Sequence, residues 1–350
     1  MRFGFVVHPL SASQRRLLGV RSFDGLMAIG RPTRRPPARP IARLRVRDPF
    51  DAQVEGVLVA IPSLPEELLV DQEAGVAAVV EAVARCRAEG ADVVGLGAVA
   101  AVIGGQGKAV AEASPCPVST GNGLTAWAAV ETLELLRGRG LRGAPVGLVG
   151  PPGPVANGIL EQLLARGDEV VIVSAQPPRP LIRQVEQLCA QHRGRARFTA
   201  HVSEVLGPGK VLIAASSTGG RLRLSALPAG SVIIDVAAPQ DVLLDVPTRK
   251  DVLLLDGEYV RLPRPLAGSA WHHVYGWVTG QSQHIFACFA EPMLMALAGD
   301  TALCSVGRTV PLERLRALGN LAASHGFWID RLHEQGRPVP LSRLQRFVAG

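Results

Sequence analysis

The residues best equipped for covalent chemistry lie in HIFACFAEPM, positions 284–293. A cysteine thiolate is a strong nucleophile, and a neighbouring imidazolium favours it over the thiol. If 283–298 is a single helix, its apolar stripe runs through Phe286, Phe289, Ala290, Met293 and Leu297. Cys288 then stands roughly 140–160° from that stripe, on a face shared with His284, Glu291 and Met295. Cys288, His284 and Glu291 are therefore the candidate catalytic residues, and core packing is the alternative role for the cysteine. Pro292 cannot donate to the carbonyl of Cys288, so a kink or a free carbonyl is expected there.

A second constellation is VGLVGPPGPVANGIL, in which Gly150, Gly153 and Ala156 form a G-x-x-G-x-x-A turn between a strand and a helix. Such a turn admits a dinucleotide pyrophosphate to the helix N-terminus. At the end of the next strand stand Ser174, Gln176 and Arg179 with no carboxylate, a set that suits the 2′-phosphate of NADP(H). Asn122 and Thr125, after a TGN turn, are candidates for orienting substrate or nicotinamide, with helix capping as the alternative. His272 and His273 are a possible proton source or a surface pair. The five cysteines are scattered without CxxC or Cys/His spacing, so free thiols and no metal site are expected.

These residues need elements to hold them. FGFVVHP, EGVLVAIP and ADVVGLGAV read as strands, and DQEAGVAAVVEAVARCRAEG as a helix stopped by Gly90. From APVGLVG to DVLLLDG, apolar strands alternate with amphipathic helices, which implies a parallel, doubly wound sheet. After about residue 265 only helices are expected. The fold class is thus α/β. An N-terminal α/β substrate-side domain is expected over 1–125, a central Rossmann domain over 126–265 and a C-terminal helical region over 266–350.

Composition narrows the setting. With 47% hydrophobic and 19% charged residues, a chain of 350 is globular and long enough for more than one core. No stretch has the length of a transmembrane helix, and the N-terminus lacks a signal-peptide pattern, so a cytoplasmic protein is expected. The net charge is +7, and of 37 basic residues only Lys108, Lys210 and Lys250 are lysine. Seven arginines crowd into RPTRRPPARPIARLRVR (31–47), interleaved with prolines. That segment reads as a stiff solvated loop or a docking patch for an acidic partner; it has no aromatics or reader module for nucleic acid.

Taken together, FACFAE (286–291), the ML and GR (307–308) that follow, HGF (325–327), TGN with TA (120–126), LPE (64–66) and the opening FGFVVHPLS resemble the cyanobacterial-type long-chain acyl-[acyl-carrier-protein] reductases. The resemblance spans nearly the whole length in order. It implies an NADPH-dependent oxidoreductase that forms a fatty aldehyde from an acyl thioester of acyl carrier protein or coenzyme A. Cys288 would carry the acyl group, and the arginines at 31–47 could hold the carrier. The sequence departs from that pattern at GPPGPVA (150–156), at Pro292 and through LAGSAWHHVYGW (266–277). Two other readings compete: a shikimate-dehydrogenase-like NADP-dependent oxidoreductase acting on a non-thioester carbonyl, and a non-catalytic dinucleotide-binding protein.

Overall fold

The computed structural model describes residues 1–9, 37–141, 145–247, 249–268 and 283–348. Two six-stranded sheets organise the chain. The first contains β1 (Phe3–Val7), β2 (Arg39–Arg47), β3 (Gln53–Ala60), β4 (Val93–Leu96) and β5 (Val118–Ser119). Strands β3, β1, β4 and β5 run parallel, whereas β2 is antiparallel to β3. Helices α1 (Pro65–Val70), α2 (Gln72–Ala88), α3 (Val99–Gln106) and α4 (Lys108–Ala113) connect these strands. Val79, Ala82, Val83 and Cys86 of α2 are buried against the sheet, the stripe that helical periodicity gives.

The arginine-rich segment is not a loop over its described part. In β2, Ala42, Leu44 and Val46 are buried while Arg43, Arg45 and Arg47 face out, the period-two alternation of a half-buried strand. Arg34 and Arg35 lie outside the described residues.

Helix α5 (Asn122–Gly138) leads to the second sheet, built from β6 (Val146–Val149), β7 (Glu169–Val173), β8 (Arg195–Thr199) and β9 (Val211–Ala214), with two strands still to come. Helices α6 (Pro154–Arg166) and α7 (Arg179–Gln191) make its crossovers. Strands β11 (Val232–Asp235) and β13 (Leu253–Asp256) complete the set, and the short β10 (Leu222–Arg223) and β12 (Val242–Leu243) pair with each other. The sheet order is β13-β11-β9-β6-β7-β8, all parallel. This is the doubly wound Rossmann order, reversing direction at β6. Its core of Leu148, Ile159, Leu160, Leu163, Ile213 and Ile234 is fully buried.

Past residue 265 the chain is not purely helical. After β14 (Tyr259–Arg261), strands β15 (Ala267–Gly268), β16 (His284–Phe286), β17 (His333–Glu334) and β18 (Arg337–Pro338) lie in this part with helices α8 (Ala287–Ala298), α9 (Leu312–Ser324) and α10 (Leu341–Val348). Strand β15 joins β2 and closes the first sheet's order as β15-β2-β3-β1-β4-β5. Helix α8 lies on the first sheet, where Phe289 meets Phe5 with ring centroids 4.6 Å apart. No helix among the described residues is long and apolar enough to cross a membrane.

Candidate functional site

Helix α8 begins four residues later than the expected 283, because residues 284–286 are taken by β16. That strand pairs antiparallel with β14, matching Tyr259 with Phe286 and Arg261 with His284. Cys288 therefore occupies the second position of α8, half-buried, rather than the middle of a longer helix. Helix amides point toward this turn, and the backbone N–H groups of Phe289 and Cys288 favour the thiolate. Burial is the larger effect and pushes the thiol up, reinforced by the charges of Glu258 and Glu291. Pro292 stays inside a continuous helix, its ring accommodated over β4 because residue 95 is glycine.

The turn before α5 is pressed against this thiol. Gly121 has φ of +72°, and a Cβ on it would lie 2.3 Å from the Cα of Cys288. Glycine is required here by both conformation and space. One residue on, the Nδ2 of Asn122 is buried without a hydrogen-bond partner among the described residues. Thr125 is turned inward on its own helix, its hydroxyl donating to the Gly121 carbonyl at 2.9 Å.

Glu291 fastens this arrangement. It is wholly buried and accepts hydrogen bonds from the Ser119 hydroxyl, from the Leu124 N–H at 2.8 Å and from the Ser305 N–H at 3.1 Å. The Ser305 hydroxyl in turn accepts from the Gly123 N–H at 3.1 Å. Burial lifts the carboxyl's pKa, and these hydrogen bonds oppose the lift. Glu291 thus ties α8, β5 and the first turn of α5 together, and sequence reasoning, which placed it beside the thiol, did not foresee that.

Glu258 was not singled out by its sequence. It sits in the turn between β13 and β14, and its carbonyl accepts the Ala287 N–H at 2.7 Å, directly before Cys288. Its carboxyl is raised well above the ordinary carboxylate range by burial and by Asp256 and Asp235. Those neighbours end β13 and β11, and burial raises them to about 6 and about 7.

His284 lies on β16, away from the helical face on which it was expected. Its Nε2 is 2.8 Å from the Asp330 carboxylate, and its ring is 4.8 Å from that of His333. His333 is 1% exposed, with neither ring nitrogen hydrogen-bonded among the described residues. Burial and the neighbouring His284 and Arg331 lower it to about 4, against a smaller pull from Asp330. A histidine lowered on folding gives stability that is complete above its unfolded pKa and is lost as pH falls toward the folded one. Asp235 and Asp256 work in the opposite sense, so the comparison must be with a variant. His333→Leu should gain on wild type by about 2 kcal/mol between pH 7 and pH 5. Urea unfolding at both pH values tests this, and a pH-independent difference would refute it.

The glycine turn folds as a strand-to-helix connection. Gly150 has φ of +127°, and a Cβ there would lie 2.5 Å from the Ala215 carbonyl oxygen. Gly153 donates its N–H back to the Gly150 carbonyl at 2.9 Å, and Ala156 is fully buried. Pro151, Pro152 and Pro154 have no N–H to offer an anion. Ser174 uses its N–H on the Thr199 carbonyl at 2.7 Å, and Arg179 opens α7 on the surface. His272 and His273 lie outside the described residues.

No family model matches the chain. It is 29% identical over 360 aligned positions to aminotransferase PigE of Serratia sp. (strain ATCC 39006), across 98% of this chain and 41% of that protein. That relative is named as a transferase. This chain spans about two-fifths of the relative's length. Among solved structures, N-acetyl-L-ornithine transcarbamylase overlaps with a TM-score of 0.34 and 14% identity, covering 72% of this chain and 83% of that one. Ornithine transcarbamoylase from Giardia lamblia gives a TM-score of 0.35 and 9% identity over 72% and 79% of the two chains. Superpositions this loose say nothing about chemistry.

The match to an aminotransferase corrects the sequence expectations. Membership of the long-chain acyl-[acyl-carrier-protein] reductases is withdrawn, and with it the NADPH-dependent oxidoreductase activity and the fatty aldehyde product. The shikimate-dehydrogenase-like oxidoreductase and the non-catalytic dinucleotide-binding protein gain no support either. The physical reason lies at the turn: a pyrophosphate needs free amides, and here three positions are proline while Gly153 is already engaged.

Proposed function

We propose that the chain is a thiol-dependent group transferase, in which Cys288 accepts an acyl group from a thioester donor and passes it to a nucleophilic acceptor. The observation that carries this reading is the setting of the Cys288 thiol. It rides on the first turn of a helix against Gly121, and the unpartnered Asn122 amide follows. A transferase class also agrees with the name of the relative, whose alignment takes in nearly all of this chain.

The residues divide the work. Attack of the thiolate on a carbonyl creates an oxyanion, and a preorganised donor such as the Asn122 Nδ2 is suited to receive it. Exchange of one thioester for another is nearly balanced, so the task is positioning, which Gly121 and Glu291 perform by locking α5 onto α8.

Aminotransferases work through pyridoxal phosphate held on a lysine. The lysines here do not fit that group. Lys108 is on the surface beside Glu112, Lys210 donates to the Glu204 carbonyl at an exposed site, and Lys250 is exposed. None stands in a buried cleft, and no amination step is assigned to this chain.

The test is intact-protein mass spectrometry after incubation with a hexanoyl thioester of N-acetylcysteamine. Wild type should gain one hexanoyl mass that a primary amine then removes, and Cys288→Ala should gain none. An unmodified wild-type protein, or equal labelling of Cys288→Ala, would refute the reading.

A further inference from the structure

The reaction at Cys288 needs a group to carry its proton, and of the two candidate residues beside it in the sequence, His284 is committed to Asp330, beyond α9. Glu291, the other, is occupied by the donors of Ser119, Leu124 and Ser305. Glu258 is differently placed. The β14–β16 ladder pairs Tyr259 with Phe286, so the next residue outward on each strand, Glu258 and Ala287, also stand opposite one another. The 2.7 Å hydrogen bond from the Ala287 N–H to the Glu258 carbonyl fixes that register at the residue before the thiol. Among the described residues, the Glu258 carboxyl itself makes no hydrogen bond, so its protonation is not pinned by a donor.

We infer that Glu258 is the proton carrier of the transfer reaction, taking the proton from the Cys288 thiol and returning it to the departing group. This rests on the transferase reading above. The Sγ–H bond breaks as the carboxylate gains the proton, and the thiolate forms a bond to the donor's carbonyl carbon. When the tetrahedral adduct collapses, the donor's C–S bond breaks and its sulfur takes the proton from Glu258. In the second half an acceptor amine attacks, gives its proton to the Glu258 carboxylate and expels the Cys288 thiolate, which recovers the proton. Nothing is oxidised or reduced, and no further reagent is needed.

The electrostatics agree with this placement. After burial, the charge of Glu258 is the largest influence raising the Cys288 thiol. The carboxyl in turn is raised by burial, Asp256 and Asp235, so it holds a proton more readily than an ordinary glutamate. Tyr259 is also raised, by burial and by Asp256 and Glu258, and stays neutral. A single negative charge shared between sulfur and carboxyl lets the proton move without building up a second buried charge.

This gives an unusual signature for the variant. Removing the carboxylate in Glu258→Gln lowers the thiol's pKa and should speed alkylation by iodoacetamide at pH 8 by about threefold or more, since only thiolate reacts. The same change removes the proton carrier and should slow acylation by the hexanoyl N-acetylcysteamine thioester by about 100-fold. Glu258→Asp should recover part of the acylation rate. Opposed effects would support the inference, because a merely structural role would move both rates together. Parallel losses, or unchanged acylation, would overturn it. Acylation absent from wild type, with alkylation still faster in Glu258→Gln, would overturn the transfer reading and identify that as the failed step.

Discussion

Glu291→Ala should destabilise the protein by about 3–5 kcal/mol, the cost of removing one partner from a buried, charged hydrogen-bond network. The side chain is fully buried and its carboxylate receives the Ser119 hydroxyl and the amides of Leu124 and Ser305. Alanine would leave all three donors facing a cavity. Ser119 and Ser305 can still bond one another, since the Ser305 N–H already donates to the Ser119 hydroxyl at 2.8 Å. The Leu124 N–H has no such alternative: it lies in the first turn of α5, where amides lack intrahelical acceptors. Glu291→Gln keeps the volume and one acceptor oxygen but points an amide at a donor, and about 1–3 kcal/mol is expected. Urea unfolding monitored by circular dichroism measures both. Because Glu291 holds the site without reacting, the Gln variant at low temperature should retain Cys288 acylation within about tenfold of wild type. Native stability with acylation abolished would instead make Glu291 a participant in the chemistry.

The same carboxylate shows what the sequence reveals and what it conceals. The second sheet was legible because its strands include the short apolar runs VGLV, EVVIV, VLIA, VIID and LLLD, the first two followed by helices α6 and α7. Local periodicity suffices for buried parallel strands. The alternation of β2 was also present in ARLRVR, yet arginine and proline composition masked it. His284 was placed on a helix because the run IFACFA that follows it is apolar throughout, and only pairing with β14, about 25 residues earlier in the chain, turns it into a strand. Glu258 and His333 carried no local signal at all. A glutamate in a turn and a single histidine become unusual only when distant strands bury them. Likewise G-P-P-G has the spacing of an anion-binding turn, but spacing does not register which amides are missing or already used.

Gly121→Ala should have the second large effect, and it reaches the thiol directly. At φ of +72° an alanine meets the steric penalty of the left-handed region, roughly 1 kcal/mol. The new methyl would also lie 2.3 Å from the Cα, 2.5 Å from the Cβ and 2.8 Å from the carbonyl oxygen of Cys288. Two of those three atoms are backbone, so no side-chain rotation can relieve the overlap. Helix α8 cannot readily retreat either, because Phe289 is seated between Phe3 and Phe5, and Glu291 holds the turn that follows. Overpacking of this kind adds about 1–3 kcal/mol, giving about 3 kcal/mol in all. If the helices do part, the thiol moves relative to Asn122, and displacement by about 1 Å costs about 100-fold in a positioned reaction. Thermal unfolding and hexanoyl transfer to Cys288 should therefore fall together in Gly121→Ala. Alkylation by iodoacetamide, which asks only for an accessible thiolate, should fall less than acylation. A variant with wild-type stability and wild-type acylation would mean that the close approach of α5 to α8 is not what positions the sulfur.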